Sequence, residues 1–126
     1  MDLLLDTHAF IWWNAKDGRL ANVARDAIRE PGNRVVVSAA SVWEIAIKRK
    51  IGKLSFRHDL LAAIAADGFE TLDITPAHAD AAGSLPLHHA DPFDRLLVAQ
   101  AGLEQFVLVT QDRQILPYGV PLIGVT

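Results

Sequence analysis

The sequence predicts an α/β fold, a central parallel sheet of four to five strands flanked by helices, and three observations carry that prediction. Apolar runs too short for helices alternate along the chain with longer stretches of helical period. The two plainest runs, Leu3-Leu4-Leu5 and Val35-Val36-Val37, are apolar throughout, as strands buried on both faces are. At 126 residues, 51% hydrophobic and 21% charged, the chain can bury one core and not two, so a single domain over 1–126 is expected.

Residues 2–5 form the first strand, and Thr7 is placed to cap a helix over 8–14. A second helix covers 21–30 and stops at Pro31-Gly32. The β-branched run 35–37 is the second strand, after which Ser38 or Ser41 caps a helix carrying Trp43, Glu44, Ile47 and Lys48 toward Gly52. A helix over 59–66 and a third strand over 70–74 follow. Thr75-Pro76 then opens another helix with a cap and a proline at its first position. Residues 85–90 make a polar loop. Asp91-Pro92 repeats the cap-then-proline signature for a helix through Glu104, and 106–110 and 122–125 are the fourth and fifth strands.

The absence of cysteine excludes disulfides, thiolate metal sites and a cysteine nucleophile, leaving oxygen or imidazole as metal donors. Leu3-Leu4-Leu5, broken by Asp2 and Asp6, is neither a signal peptide nor a membrane span, so a cytoplasmic protein with no membrane association is expected. The formal net charge of −3 argues against binding nucleic acid by bulk electrostatics but permits local contact.

In an open parallel sheet, ligands bind beyond the carboxyl ends of the strands, where strand order reverses. Asp6 follows the first strand, Asp112 follows the fourth, and Glu44 rides the helix that leaves the second. Asp94 lies in the first turn of its own helix. Each acid alone has an ordinary explanation in turn or capping chemistry, and Asp91, just before Pro92, is assigned that role. Glu44 is harder to explain away. Its neighbours Val42, Trp43, Ile45, Ala46 and Ile47 are apolar, and a glutamate there is costly unless paired or bound to a cation. Gathered carboxylates repel, and a divalent ion removes that penalty. Oxygen-only ligation selects Mg2+, with Mn2+ able to substitute, and the matching chemistry is phosphodiester hydrolysis by activated water.

LLLDTHAFIWW, SAASVWEIAIKRKIGKL, ADPFDRLLVAQA and LVTQDR, in that order and spacing, resemble the PIN-domain ribonucleases, most closely the VapC-type toxins of type II toxin–antitoxin pairs. The resemblance spans nearly the whole chain and implies a PIN-like three-layer sandwich. It implies Asp6, Glu44, Asp94 and Asp112 as the catalytic, metal-holding set, with Asp6 and Asp94 foremost as direct ligands. It places the family's small polar residues near the site on Thr7, Ser38 and Thr110. It further implies RNA cleavage, a homodimer, and inhibition by a small antitoxin lying across a groove near the site.

Several other residues carry two readings. The run Lys48, Arg49, Lys50, Lys53 and Arg57 either guides an RNA backbone or is a solvated helix end suited to the helix dipole. Arg95 and Arg113, each following a proposed catalytic acid, either steady substrate phosphate or pair with a carboxylate. His88-His89 lacks the helical spacing that converges ligands on zinc and is set aside, and His8 reads as structural or groove-lining. Phe10, Ile11, Trp12 and Trp13 exceed the needs of one core-facing stripe, so part of this stretch is expected to line a partner groove. Two rival functions are a phosphotransferase using Asp6 as covalent nucleophile, which would want an aspartate where His8 stands, and a non-catalytic metal-binding interaction module.

Overall fold

The computed structural model describes residues 1–125. Five strands, β1 (Asp2–Leu5), β2 (Arg34–Ser38), β3 (Glu70–Leu72), β4 (Val107–Val109) and β5 (Leu122–Ile123), form one sheet in the order β3-β2-β1-β4-β5. Every neighbouring pair is parallel. β1 lies at the centre, with Leu3, Leu4 and Leu5 in register with Val35, Val36 and Val37 on one side and with Val107, Leu108 and Val109 on the other.

The alternation of strand side chains divides these residues between two cores. Leu3, Leu5, Val35, Val37 and Val109 pack against α1 (Thr7–Asn14), α2 (Asn22–Arg29) and α4 (Leu60–Ala66) through Phe10, Ile28 and Ile64. Leu4, Val36 and Leu108 face the other way, onto Leu97, Val98 and Ala101 of α6 (Pro92–Glu104), while α5 (Pro76–Ser84) packs outside against α6. α3 (Ala39–Lys50) serves both cores, giving Ile45 to the first and Ala40 to the second. The three leucines of β1 are wholly buried, and each such side chain contributes roughly 1.5–3 kcal/mol. The result is the predicted α/β architecture, helices on both faces of a parallel sheet.

The local differences from the sequence reading are at element ends. β3 stops at Leu72, level with Ser38 at the end of β2 and so with no strand partner for Asp73 and Ile74, and β5 stops at Ile123, where Gly124 adopts φ +110. A Cβ at Gly124 would lie 2.6 Å from the Thr110 carbonyl oxygen, so only glycine lets β5 end this close to the chain after β4. A short 3-10 helix, Arg113–Tyr118, was not foreseen, being too brief to show a period. Thr7 is not the cap of α1. Asp6 has the extended backbone of a cap and its side chain accepts from the Ala9 amide, which makes Thr7 the first helical residue. Of the two candidate caps of α3, Ser38 takes the role.

Candidate active site

The all-parallel sheet brings five carboxyl ends to one edge, and the order β3-β2-β1-β4-β5 reverses direction between β1 and β4. Asp6 leaves β1 at that crevice, and its amide donates to the Val109 carbonyl at 3.0 Å, tying it to the end of β4. Asp112 lies three residues beyond β4. α3 starts directly after β2 and carries Glu44. Because α6 leads into the opposite end of β4, its first turn, with Asp94, returns to the carboxyl edge.

Asp6 is 4% exposed; its Oδ1 accepts from the Ala9 amide at 2.8 Å, and it hydrogen-bonds the buried Thr110 hydroxyl. The same hydroxyl accepts from the Asp112 amide at 3.1 Å, so Thr110 joins two of the four acids. Glu44, also 4% exposed, is paired on both oxygens: Thr7 Oγ1 lies 2.6 Å from Oε1, and Lys48 Nζ donates to Oε2 at 2.8 Å. Ser41 Oγ is 3.0 Å from Thr7 Oγ1. Ser38 is wholly buried and accepts from the Ala40 amide, which sets the start of α3 and hence the position of Glu44.

Asp91 caps α6, its Oδ1 accepting from the Phe93 and Asp94 amides at 2.8 and 3.2 Å. Capping leaves the Asp94 carboxyl free to face the other acids. Burial, then the charges of Asp91 and Asp6 and, more weakly, Glu44, push its pKa up to about 7, against a lowering influence from His89. Burial likewise raises Asp6, which also senses Asp112. All four sequence-predicted acids thus lie at one place, Asp94 sensing Asp6 and Glu44, and Asp6 sensing Asp112. The sequence reading missed one neighbour. His89 Nε2 lies 2.8 Å from Asp112 Oδ2 and 3.0 Å from Asp94 Oδ2. Its adjacency to His88 gave no sign of this, since His88 points away onto the Tyr118 ring.

The pattern of the PIN domain matches residues 3–119. The chain belongs to the PIN-domain family. It is 36% identical over 121 residues to Ribonuclease VapC22 of Mycobacterium tuberculosis, covering 90% of this chain and 88% of that protein. The resemblance to VapC-type members drawn from the four motifs is thus shown. Among solved structures it is similar to VapBC2 from Rickettsia felis bound to a promoter DNA fragment, with TM-score 0.71, 14% identity and 98% of each chain covered. DNA-bound VapBC from Salmonella typhimurium gives TM-score 0.68 at 17% identity, over 98% of this chain and 97% of that one. At those identities the likeness concerns the fold.

The donor set of this PIN domain fits a hard divalent ion. Asp94 and Asp112 place carboxylate oxygens, with the His89 nitrogen, within 4.8 Å of one another, and Asp6 and Glu44 border them. Asp6, buried, and Asp94, half-buried, both have raised pKa values, and a divalent ion held between them would favour the ionised form of each.

Other predicted residues take different positions. Arg95, read as an anchor for substrate phosphate or a carboxylate partner, is neither. It is 9% exposed, and its guanidinium donates to the carbonyls of Ala82, Leu85 and Pro86 at 2.9 to 3.0 Å. It ties the end of α5 to the loop that follows it instead. Arg113 is exposed at the start of the 3-10 helix. Lys48 is bound to Glu44, and Arg49 donates to the His58 carbonyl. Position 8, where a phosphotransferase would want a second aspartate, holds an exposed histidine stacked on Trp12. No helix among the described residues is long and apolar enough to cross a membrane.

Proposed function

We propose that this PIN domain is a Mg2+-dependent endoribonuclease, with Mn2+ able to substitute, acting in the cytoplasm as the toxin of a toxin–antitoxin pair. The observation that carries the proposal is the coupling of Asp6, Glu44, Asp94 and Asp112 at the sheet's switch point. The similarity to Ribonuclease VapC22 supports RNA as the substrate.

Asp6 and Asp94 would be the first ligands, with Asp112 and Glu44 completing the acidic wall. A divalent ion bound there supplies neutralising charge at the scissile phosphate and acidifies the attacking water. The chain's own part is to hold its carboxylates still: Asp6 through Ala9 and Thr110, Asp112 through Thr110, Glu44 through Thr7 and Lys48. Lys48 also cancels one negative charge, lessening repulsion of an incoming phosphate. Lys50, Lys53 and Arg57 are exposed and would attract the RNA backbone.

An antitoxin partner is supported by the VapBC structures that share the fold. The docking groove would include the α1 stretch, where Trp12 and Trp13 both remain half-buried. A homodimer follows from the same family reading. The test is cleavage of a defined RNA by purified protein. Activity should vanish with chelator, return with Mg2+ or Mn2+, and be lost in Asp94→Asn. Equal cleavage by the chelated wild type would refute the proposal.

A further inference from the structure

Proximity alone would make His89 a third metal ligand, since its Nε2 stands among the carboxylate oxygens of Asp94 and Asp112. The other ring nitrogen argues otherwise. The Asp91 amide donates to His89 Nδ1 at 3.3 Å, which makes Nδ1 an acceptor and leaves Nε2 as the ring's N–H donor. A protonated Nε2 has no lone pair for a metal. It is instead a donor aimed at Asp112 Oδ2 at 2.8 Å and Asp94 Oδ2 at 3.0 Å.

We propose that His89 is a positioning residue, whose Nε2–H fixes the orientation of the Asp94 and Asp112 carboxylates for the cation without binding it. The inference rests on the metal-dependent reading above. The ring is well placed for the task. It is 10% exposed, and its backbone amide donates to Tyr118 Oη at 3.0 Å. That hydroxyl in turn donates to the Pro86 carbonyl at 2.8 Å, while Arg95 grips the same loop. A loop the sequence marks only as polar is thereby locked, and its His89 side chain spans two acids from different elements, α6 and the segment after β4. Unoriented carboxylates would have to lose rotational freedom on binding the ion, and outer partners of metal ligands typically govern about 10- to 100-fold in metal affinity.

The test is Mn2+ binding to the metal-free full chain, followed by electron paramagnetic resonance, for wild type, His89→Ala and His89→Gln. Glutamine restores an N–H donor but no ring nitrogen. His89→Ala should bind Mn2+ about 10- to 100-fold more weakly, and His89→Gln should recover most of that loss. Electron spin-echo modulation of the wild-type Mn2+ complex should lack the coupling of a directly bound histidine nitrogen. Such a coupling, absent in His89→Gln, would overturn the proposal by making His89 a ligand. Undiminished affinity in a folded His89→Ala would overturn it by leaving the ring no role. A wild type that binds no Mn2+ would remove the metal-dependent reading itself, and this inference with it.

Discussion

Asp94 carries the sharpest prediction at the residue scale, because its carboxyl stays protonated up to about 7 rather than near the ordinary 3.8. The folded, metal-free chain thus holds this proton more tightly than the unfolded chain. That contribution favours folding below the unfolded value and is lost as pH rises through about 7. The unfolding temperature of metal-free protein should accordingly fall between about pH 5 and pH 8. Saturating Mg2+ should remove the fall, and Asp94→Asn should flatten it while abolishing metal binding. A metal-free profile that rises over the same interval would contradict this. Glu44 was legible in the sequence because an acid amid five apolar neighbours demands a partner. Its partner Thr7 was not. Thr7 reads from the sequence as the helix cap, whereas in the structure Asp6 caps and Thr7 is released to bind Glu44. His89 was illegible for another reason, since the path of an aperiodic loop leaves no pattern to read.

Elements place the acids, so changes remote from them should still disturb the site. Gly124→Ala puts a Cβ 2.6 Å from the Thr110 carbonyl oxygen at a left-handed φ of +110, and Thr110 joins Asp6 to Asp112. The substitution should cost about 1–3 kcal/mol in urea unfolding. Metal affinity should fall with it. Arg95→Ala takes the guanidinium from the carbonyls of Ala82, Leu85 and Pro86; the first keeps the Leu85 amide and the last the Tyr118 hydroxyl, so the cost is roughly 1–3 kcal/mol, for the Leu85 carbonyl. Amide exchange should accelerate first in the 85–90 loop that carries His89; unchanged protection there would mean that Arg95 is not its anchor. The long elements were visible through their periods and cap-then-proline signatures. The 3-10 helix and the short ends of β3 and β5 were not, because two or three residues show no period and edge strands are cut short by neighbouring turns.

At the scale of the whole molecule, a net charge of −3 and an acidic catalytic edge leave only local basic features to hold RNA. Binding should therefore depend on salt through few phosphate contacts, each worth about −0.7 in the slope of log K against log salt for a single strand. Lys50→Ala should make that slope shallower by about one such contact, and a slope unaffected by changes at Lys50, Lys53 and Arg57 would exclude the basic run from the interface. The parallel topology was legible from continuous apolar runs, and it is what converts acids scattered between positions 6 and 112 into one cluster. Whether that cluster is built for a cation is the central question. Anomalous diffraction from crystals soaked in Mn2+ answers it directly. A peak bounded by Asp6, Asp94 and Asp112 with Glu44 beside it is expected, whereas saturating Mn2+ that leaves this position empty or locates elsewhere would contradict a cation-binding role for the cluster.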